Sequence, residues 1–299
     1  MHSESPVISA EGLRKRLGSV NAVAGLDFTV SQGSTCGFLG RNGAGKTTTI
    51  KMLMGMTRPD RGEGRIFGEP IDDEVASARI RRRTGFVAEV KEFYPFLTGR
   101  QMIDFTRTFY PKWRSDWEER CLRDYELPIK QKTGELSKGM RSKLALLLAF
   151  SRGAELLVLD EPTDGLDPIA IEAFLQHLVG LAGEGQTIFF SSHQLHEVEQ
   201  VCDKVFLIDR GKAVLETDLD EAKTRFRKVS ITFPDAVPEH LFEGTGVRRL
   251  KVRGRSASLL VNRDAEAIAA QARQAGATTV EFAPVSLKEI FLETVGEEQ

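Results

Sequence analysis

Residues 35–56 read TCGFLGRNGAGKTTTIKMLMGM, and no other stretch restricts the fold of this chain as much. The apolar run over 35–40 has the form of a short buried strand. A helical pattern follows, with Ile50, Leu53 and Met54 at helical spacing. Between them lie Gly40, Gly43 and Gly45, and the whole fits G-x-x-x-x-G-K-[ST] in the strand-to-helix setting that pattern requires. The glycines let the backbone curl so that successive N–H groups point at phosphate oxygens. The helix presents its positive end to the same anion. Lys46 is placed to reach β- and γ-phosphates, and Thr47 to hold Mg²⁺.

Two further apolar runs end in polar residues. ELLVLDEPT (155–163) is a central-strand pattern closing on Asp160 and Glu161. Beside a phosphate loop, Asp160 is assigned to Mg²⁺ through water and Glu161 to the attacking water as general base. TIFFSSH (187–193) repeats the form and delivers His193 to the same sheet edge, where it can donate to a γ-phosphate. His2, His177, His196 and His240 have no such setting and are expected at the surface. VFLIDRGKAVLE (205–216) reads as a hairpin turning at Arg210 and Gly211. Strands alternating with helical patterns point to an α/β core, with a more helical region over 96–152 that opens on a Thr98/Gln101 capping box.

Beyond about residue 225 the pattern changes to short strands and two helices, one opening at Asp264 and one behind a Ser286/Glu289 capping box with Val285 and Ile290 as its staple. Prolines 234 and 238 and glycines 244 and 246 suit loops there. Residues 1–224 and 225–299 are therefore expected as two domains, the second a small α+β one. The net charge of −2 and pI near 6.3 argue against a nucleic-acid binder. The basic run Arg79-Ile80-Arg81-Arg82-Arg83 reads as a solvated helix face. Three scattered cysteines point away from a disulfide framework and towards a reducing compartment. No stretch approaches the ~20 apolar residues needed to span a bilayer.

In order and spacing, residues 40–47, Ser137 to Gly139, 156–161, the GLDP of 165–168 and His193 resemble the nucleotide-binding subunit of an ATP-binding cassette (ABC) transporter over roughly residues 5–220. The resemblance implies a P-loop NTPase with a RecA-like core, an antiparallel β part and a helical subdomain. It also implies ATP and Mg²⁺ as cofactors and head-to-tail pairing with a second ATP-binding subunit, a second copy or a paralogue. ATP contacts then fall on Gly40, Arg41, Asn42, Gly43, Ala44, Gly45, Lys46, Thr47 and Thr48, and catalysis on Lys46, Glu161 and His193. Leu136 to Met140 stand where the family reads Leu-Ser-Gly-Gly-Gln, which turns Ser137, Lys138, Gly139 and Met140 towards the partner's ATP. Lys138 either helps attract that ATP or is simply solvated. Asp167 matches the acid of the dimer loop.

Two positions depart from the family pattern. Glu89 stands for the usual glutamine; it still reaches Mg²⁺ or water but adds negative charge beside ATP. Leu17 occupies the place of the adenine-stacking aromatic, leaving that contact weaker or to Val23 or elsewhere. The expected function is an ATPase subunit powering a separate transmembrane permease, an exporter of drugs, lipids or peptides, from the cytoplasmic face of the membrane. VKEFYPFLT (90–98), with Phe93 and Tyr94, is the expected permease contact unless those rings pack under the helical subdomain. The alternative is a soluble cassette ATPase of translation or DNA repair. It lacks support from a second cassette, a coiled-coil insertion or zinc cysteines. Glu161 argues against a regulator that binds ATP without hydrolysing it.

Overall fold

The computed structural model describes residues 6–242, 247–262 and 264–296. The chain forms two compact units, Met1–Glu216 and Thr217–Gln299. The division precedes residue 224, so that helix Leu219–Arg225 belongs to the second unit.

The first unit opens with β1 (Ile8–Leu17), β2 (Val20–Val30), β3 (Thr35–Gly40), α1 (Lys46–Leu53), β4 (Arg61–Ile66), β5 (Glu69–Pro70), α2 (Glu74–Arg83) and β6 (Thr84–Val87). Three helices follow, α3 (Gly99–Arg107), α4 (Ser115–Tyr125) and α5 (Lys138–Ser151). Then come β7 (Leu156–Asp160), α6 (Pro168–Gly183), β8 (Thr187–Ser192), α7 (Leu195–Val201), β9 (Lys204–Asp209) and β10 (Lys212–Asp218).

The central sheet has the order β10-β9-β3-β8-β7-β6 and is parallel from β9 to β6. Every residue of β3, β7 and β8 is buried. A parallel sheet covered on both faces needs such unbroken apolar strands. Register decides where the chemistry emerges. Leu39 pairs with Ser192, and Asp160 with Ser191. The glycine loop after β3, Glu161 after β7 and His193 after β8 thus leave one sheet edge side by side, at the carboxyl ends of the strands. A second, antiparallel sheet, β2-β1-β4-β5, packs through Phe28, whose ring lies 5.7 Å from Phe38 and Phe189 and 5.4 Å from Phe206.

α3 starts on the expected Thr98/Gln101 capping box. Trp117, Cys121 and Tyr125 of α4 are buried, with Phe150 of α5 and Phe174 of α6 beside them. One expectation fails here. His177 is not at the surface: it is 1% exposed, with Nδ1 3.0 Å from the Tyr125 hydroxyl and Nε2 2.9 Å from Asp124. The 79–83 run exposes Arg79, Arg81 and Arg82, as a solvated helix face should, and its side chains also make contacts. Ile80 is buried, Arg79 pairs with Glu69, and Arg81 donates to the Met54 carbonyl. Arg83 grips Glu155 through two nitrogens and lies 3.7 Å over the Phe67 ring.

The second unit contains α8 (Leu219–Arg225), β11 (Arg227–Thr232), β12 (Val247–Arg253), β13 (Ser256–Val261), α9 (Ala265–Gln274), β14 (Thr279–Ala283) and α10 (Leu287–Gly296). Its antiparallel sheet runs β12-β13-β11-β14, and Ile268 and Ala272 of α9 join Val229, Ile231, Leu259 and Val261 in its core. Ser286 and Glu289 cap α10 reciprocally, with Val285 and Ile290 buried. Asp264 precedes α9 in a left-handed conformation and makes no side-chain cap. Gly244 and Gly246 lie outside the described residues.

Candidate functional site

A cavity of about 510 Å³ opens at the edge where β3, β7 and β8 end. Its walls include Leu17, Val20, Ala22, Asn42, Gly43, Gly45, Lys46, Thr47, Thr48, Glu89, Glu161, Asp164 and His193. Gly40, Arg41 and Ala44, also expected at ATP, are not in this wall; Gly40 and Ala44 are buried and Arg41 is exposed. Gly45 is required on two counts: its φ is +106°, and a Cβ there would sit 2.3 Å from the Ala22 carbonyl oxygen. No side chain caps α1, so its first N–H groups remain free for an anion.

Lys46 is 5% exposed, and its Nζ donates to the Gly40 carbonyl at 2.7 Å and lies 3.2 Å from the Glu161 carboxylate. The other oxygen of that carboxylate is 2.8 Å from His193 Nδ1. Thr47 Oγ1 lies 3.2 Å from Glu89 and 3.3 Å from Asp160. Burial raises the pKa of Asp160, and the charges of Glu89 and Glu161 push it the same way, against hydrogen bonds from Ser191 and Thr47. This crowd of oxygens fits a small hard cation. Among the described residues no cluster of three or more His, Cys, Asp or Glu could hold a metal by itself. Mg²⁺ held at Thr47, with Asp160 and Glu89 near it, would therefore complete its shell with phosphate and water oxygens, as this ion does.

Three residues at the site went unnoticed in the sequence. Ser191 donates to Asp160 at 2.7 Å and accepts the Glu161 N–H at 3.0 Å. Its signal was its place two residues before His193. Glu197 is fully buried, takes hydrogen bonds from Thr163 and Ser192, and has its pKa raised by burial. Lys91 is also buried, with its Nζ 3.0 Å from the Glu161 carbonyl oxygen. Val23, considered for adenine, is 1% exposed and absent from the wall, which Leu17, Val20 and Ala22 provide instead.

Ser137, Lys138, Gly139 and Met140 do not line this cavity. Ser137 caps α5 by accepting the Met140 N–H at 3.2 Å. Lys138 is 66% exposed, in line with the solvated reading, and pairs with Asp164 at 2.6 Å. A Cβ on Gly139 would lie 2.5 Å from the Gly165 carbonyl oxygen, so glycine here lets the loop after β7 cross the helix mouth. Asp167 caps α6 through the Ala170 N–H at 2.8 Å and pairs with Lys143 at 2.9 Å.

The geometry has close parallels. The family described as ABC transporter matches residues 23–164, and an AAA domain family, described as a putative AbiEii toxin of a type IV toxin–antitoxin system, matches 130–199. The chain is 40% identical to the bacitracin transport ATP-binding protein BcrA of Bacillus licheniformis over 227 residues, covering 75% of this chain and 74% of that protein. It is 34% identical to the Nod factor export ATP-binding protein I of Burkholderia lata over 301 residues, 97% of each. Among solved structures, the ATP-binding subunit of an ABC transporter superposes with a TM-score of 0.66 at 29% identity, covering 73% of this chain and 92% of that one. The ATP-binding cassette MJ0796, solved as a dimer in a post-hydrolysis state with ADP and Pi, shares the fold with a TM-score of 0.63 at 23% identity over 71% of this chain and 98% of its own. With this ancestry and this cavity, the chain belongs to the ABC transporter family as one of its ATP-binding subunits, an ATPase that works on ATP with Mg²⁺.

Proposed function

We propose that this ATPase drives a separate membrane-spanning permease, an exporter of drugs, lipids or peptides, and that it works as a pair with a second ATP-binding subunit. One observation carries the catalytic part: the Glu161 carboxylate is held between Lys46 and His193 at the cavity mouth. When ATP enters, its phosphates take Lys46 and the free N–H groups of α1. Thr47 and Asp160 would hold Mg²⁺, which would supply positive charge beside the phosphates. Glu161, released from Lys46, then accepts the proton of the attacking water, and His193 holds the carboxylate in place while facing the γ-phosphate.

Pairing is supported by the mouth of α5. Ser137, Gly139 and Met140 sit at a helix N-terminus outside the cavity wall, where a partner's nucleotide can meet them. Export is supported by the relatives named for bacitracin transport and Nod factor export. A permease is supported by an exposed aromatic patch. Tyr94, Phe96, Phe105 and Phe109 are 43–68% exposed and pack in a chain, Phe105 T-shaped against Tyr94 and Phe109 and Phe96 tilted against Tyr94, with centroids 5.1–5.9 Å apart. Rings left in water at this density mark a contact surface. Phe93, expected in this role, is half-buried, and the patch instead recruits two rings from the neighbourhood of α3. No helix among the described residues is long and apolar enough to cross a membrane. In the proposed assembly the permease is a separate chain and this subunit works at its cytoplasmic face.

Glu161→Gln tests the chemistry: ATP binding is kept and steady-state turnover is lost. Unchanged turnover in the purified variant would overturn the base assignment. Co-purification with a multi-span protein from detergent-solubilised membranes, lost when Tyr94 and Phe96 become aspartate, tests the coupling.

A further inference from the structure

Glu161 adopts a left-handed backbone, with φ at +45°. A side chain other than glycine holds that conformation only where its surroundings fix it, against about 1–3 kcal/mol. The fixing contacts are on both of its peptide groups. Its N–H donates to Ser191 Oγ at 3.0 Å. Its carbonyl oxygen accepts the Asp164 N–H at 3.2 Å and the Lys91 ammonium at 3.0 Å. Ser191 and Asp164 belong to the strands and turn that build the site, but Lys91 arrives from the segment after β6, two residues past Glu89.

A buried ammonium is costly unless it is paired and hydrogen-bonded. Lys91 is 9% exposed, and its ammonium donates to the Glu161 carbonyl oxygen at 3.0 Å. The fold thus buries the Lys91 side chain with its end aimed at the carbonyl of Glu161.

We infer that Lys91 is a positioning residue for hydrolysis: by holding the Glu161 carbonyl it fixes the left-handed turn, and with it the direction in which the Glu161 carboxylate leaves the backbone. This rests on the reading of Glu161 as general base. Lys91 touches neither nucleotide nor water in this role, so its loss affects the chemical step and spares binding.

The test compares full-length Lys91→Met, Lys91→Arg and Glu161→Gln proteins by steady-state ATPase kinetics and by ATP titration. Misplacing a catalytic group by a fraction of an ångström to an ångström costs up to about a hundredfold. Lys91→Met is expected to lower kcat about ten- to a hundredfold with KM and ATP affinity held within about twofold. Lys91→Arg, which keeps the charge and the donors, restores most of kcat. Should the methionine variant not fold, Lys91→Gln is read by the same split. Unchanged kcat in Lys91→Met, or a parallel loss of ATP affinity and kcat, overturns the inference. Normal turnover in Glu161→Gln would instead overturn the base assignment itself, so the two failures are distinguishable.

Discussion

Gly139→Ala sets two effects against each other at the second residue of α5. Helix propensity favours alanine by at most about 1 kcal/mol. The new Cβ would lie 2.5 Å from the Gly165 carbonyl oxygen, about 0.9 Å short of ordinary contact at 3.4 Å. The obstacle is backbone, and it cannot swing aside as a side chain does. Gly165 is itself left-handed, with φ at +82°, and the Asp164 carbonyl beside it is held by Ser142 Oγ at 2.9 Å. Overpacking of this kind costs about 1–3 kcal/mol, so the net loss is about 0–2 kcal/mol, or a fall in Tm of up to about 8 °C. Gly183→Ala is the matched control: it ends α6, and a Cβ there meets nothing within 4 Å. That substitution should raise Tm slightly. Thermal unfolding of both variants, followed by circular dichroism, decides the matter. A Gly139→Ala protein more stable than the parent would show that the close approach to Gly165 carries no weight.

Leu17→Phe should tighten ATP binding about two- to tenfold, the worth of an aromatic pair, since Leu17 lies in the cavity wall; equal affinities by calorimetry would place adenine elsewhere. Glu118 is buried, which opposes its charge, yet hydrogen bonds from Arg100, Trp113 and Arg107 hold its carboxyl below the ordinary value. Glu118→Gln should cost about 2 kcal/mol at neutral pH. With a lowered folded pKa the wild-type advantage is full above the ordinary 4.5 and shrinks as pH falls through the folded value, so urea unfolding of the pair should converge in acid. Burial lowers the His177 pKa, so below the ordinary 6.5 the unfolded chain takes up a proton that the fold resists. Stability should decline as pH drops past that value, and a flat profile would refute the assignment.

The phosphate loop was legible because its glycines and its strand-to-helix setting are local. So were the two capping boxes, each written within four residues. His177 was misread although its spacing held the clue: Phe174, His177, Leu178 and Leu181 follow one helical stripe, and all four are buried. What the stripe could not tell was that Asp124 and Tyr125 wait opposite to satisfy both ring nitrogens. Lys91 was illegible for the same reason, since its acceptor is a main-chain atom seventy residues away. The Arg83 clasp on Glu155 likewise joins distant segments. Pairings across the fold depend on the packing of whole layers, which no local pattern encodes.

The contact between Lys46 and Glu161 has a consequence for how tightly nucleotide is held. On the proposed reading of Glu161 as general base, ATP and that carboxylate compete for one ammonium. To seat its phosphates, the nucleotide must first break an ion pair that is itself out of water. Neutralising Glu161 therefore acts twice, stopping turnover and strengthening the hold on ATP. On that reading affinity and speed sit at opposite ends of a single lever.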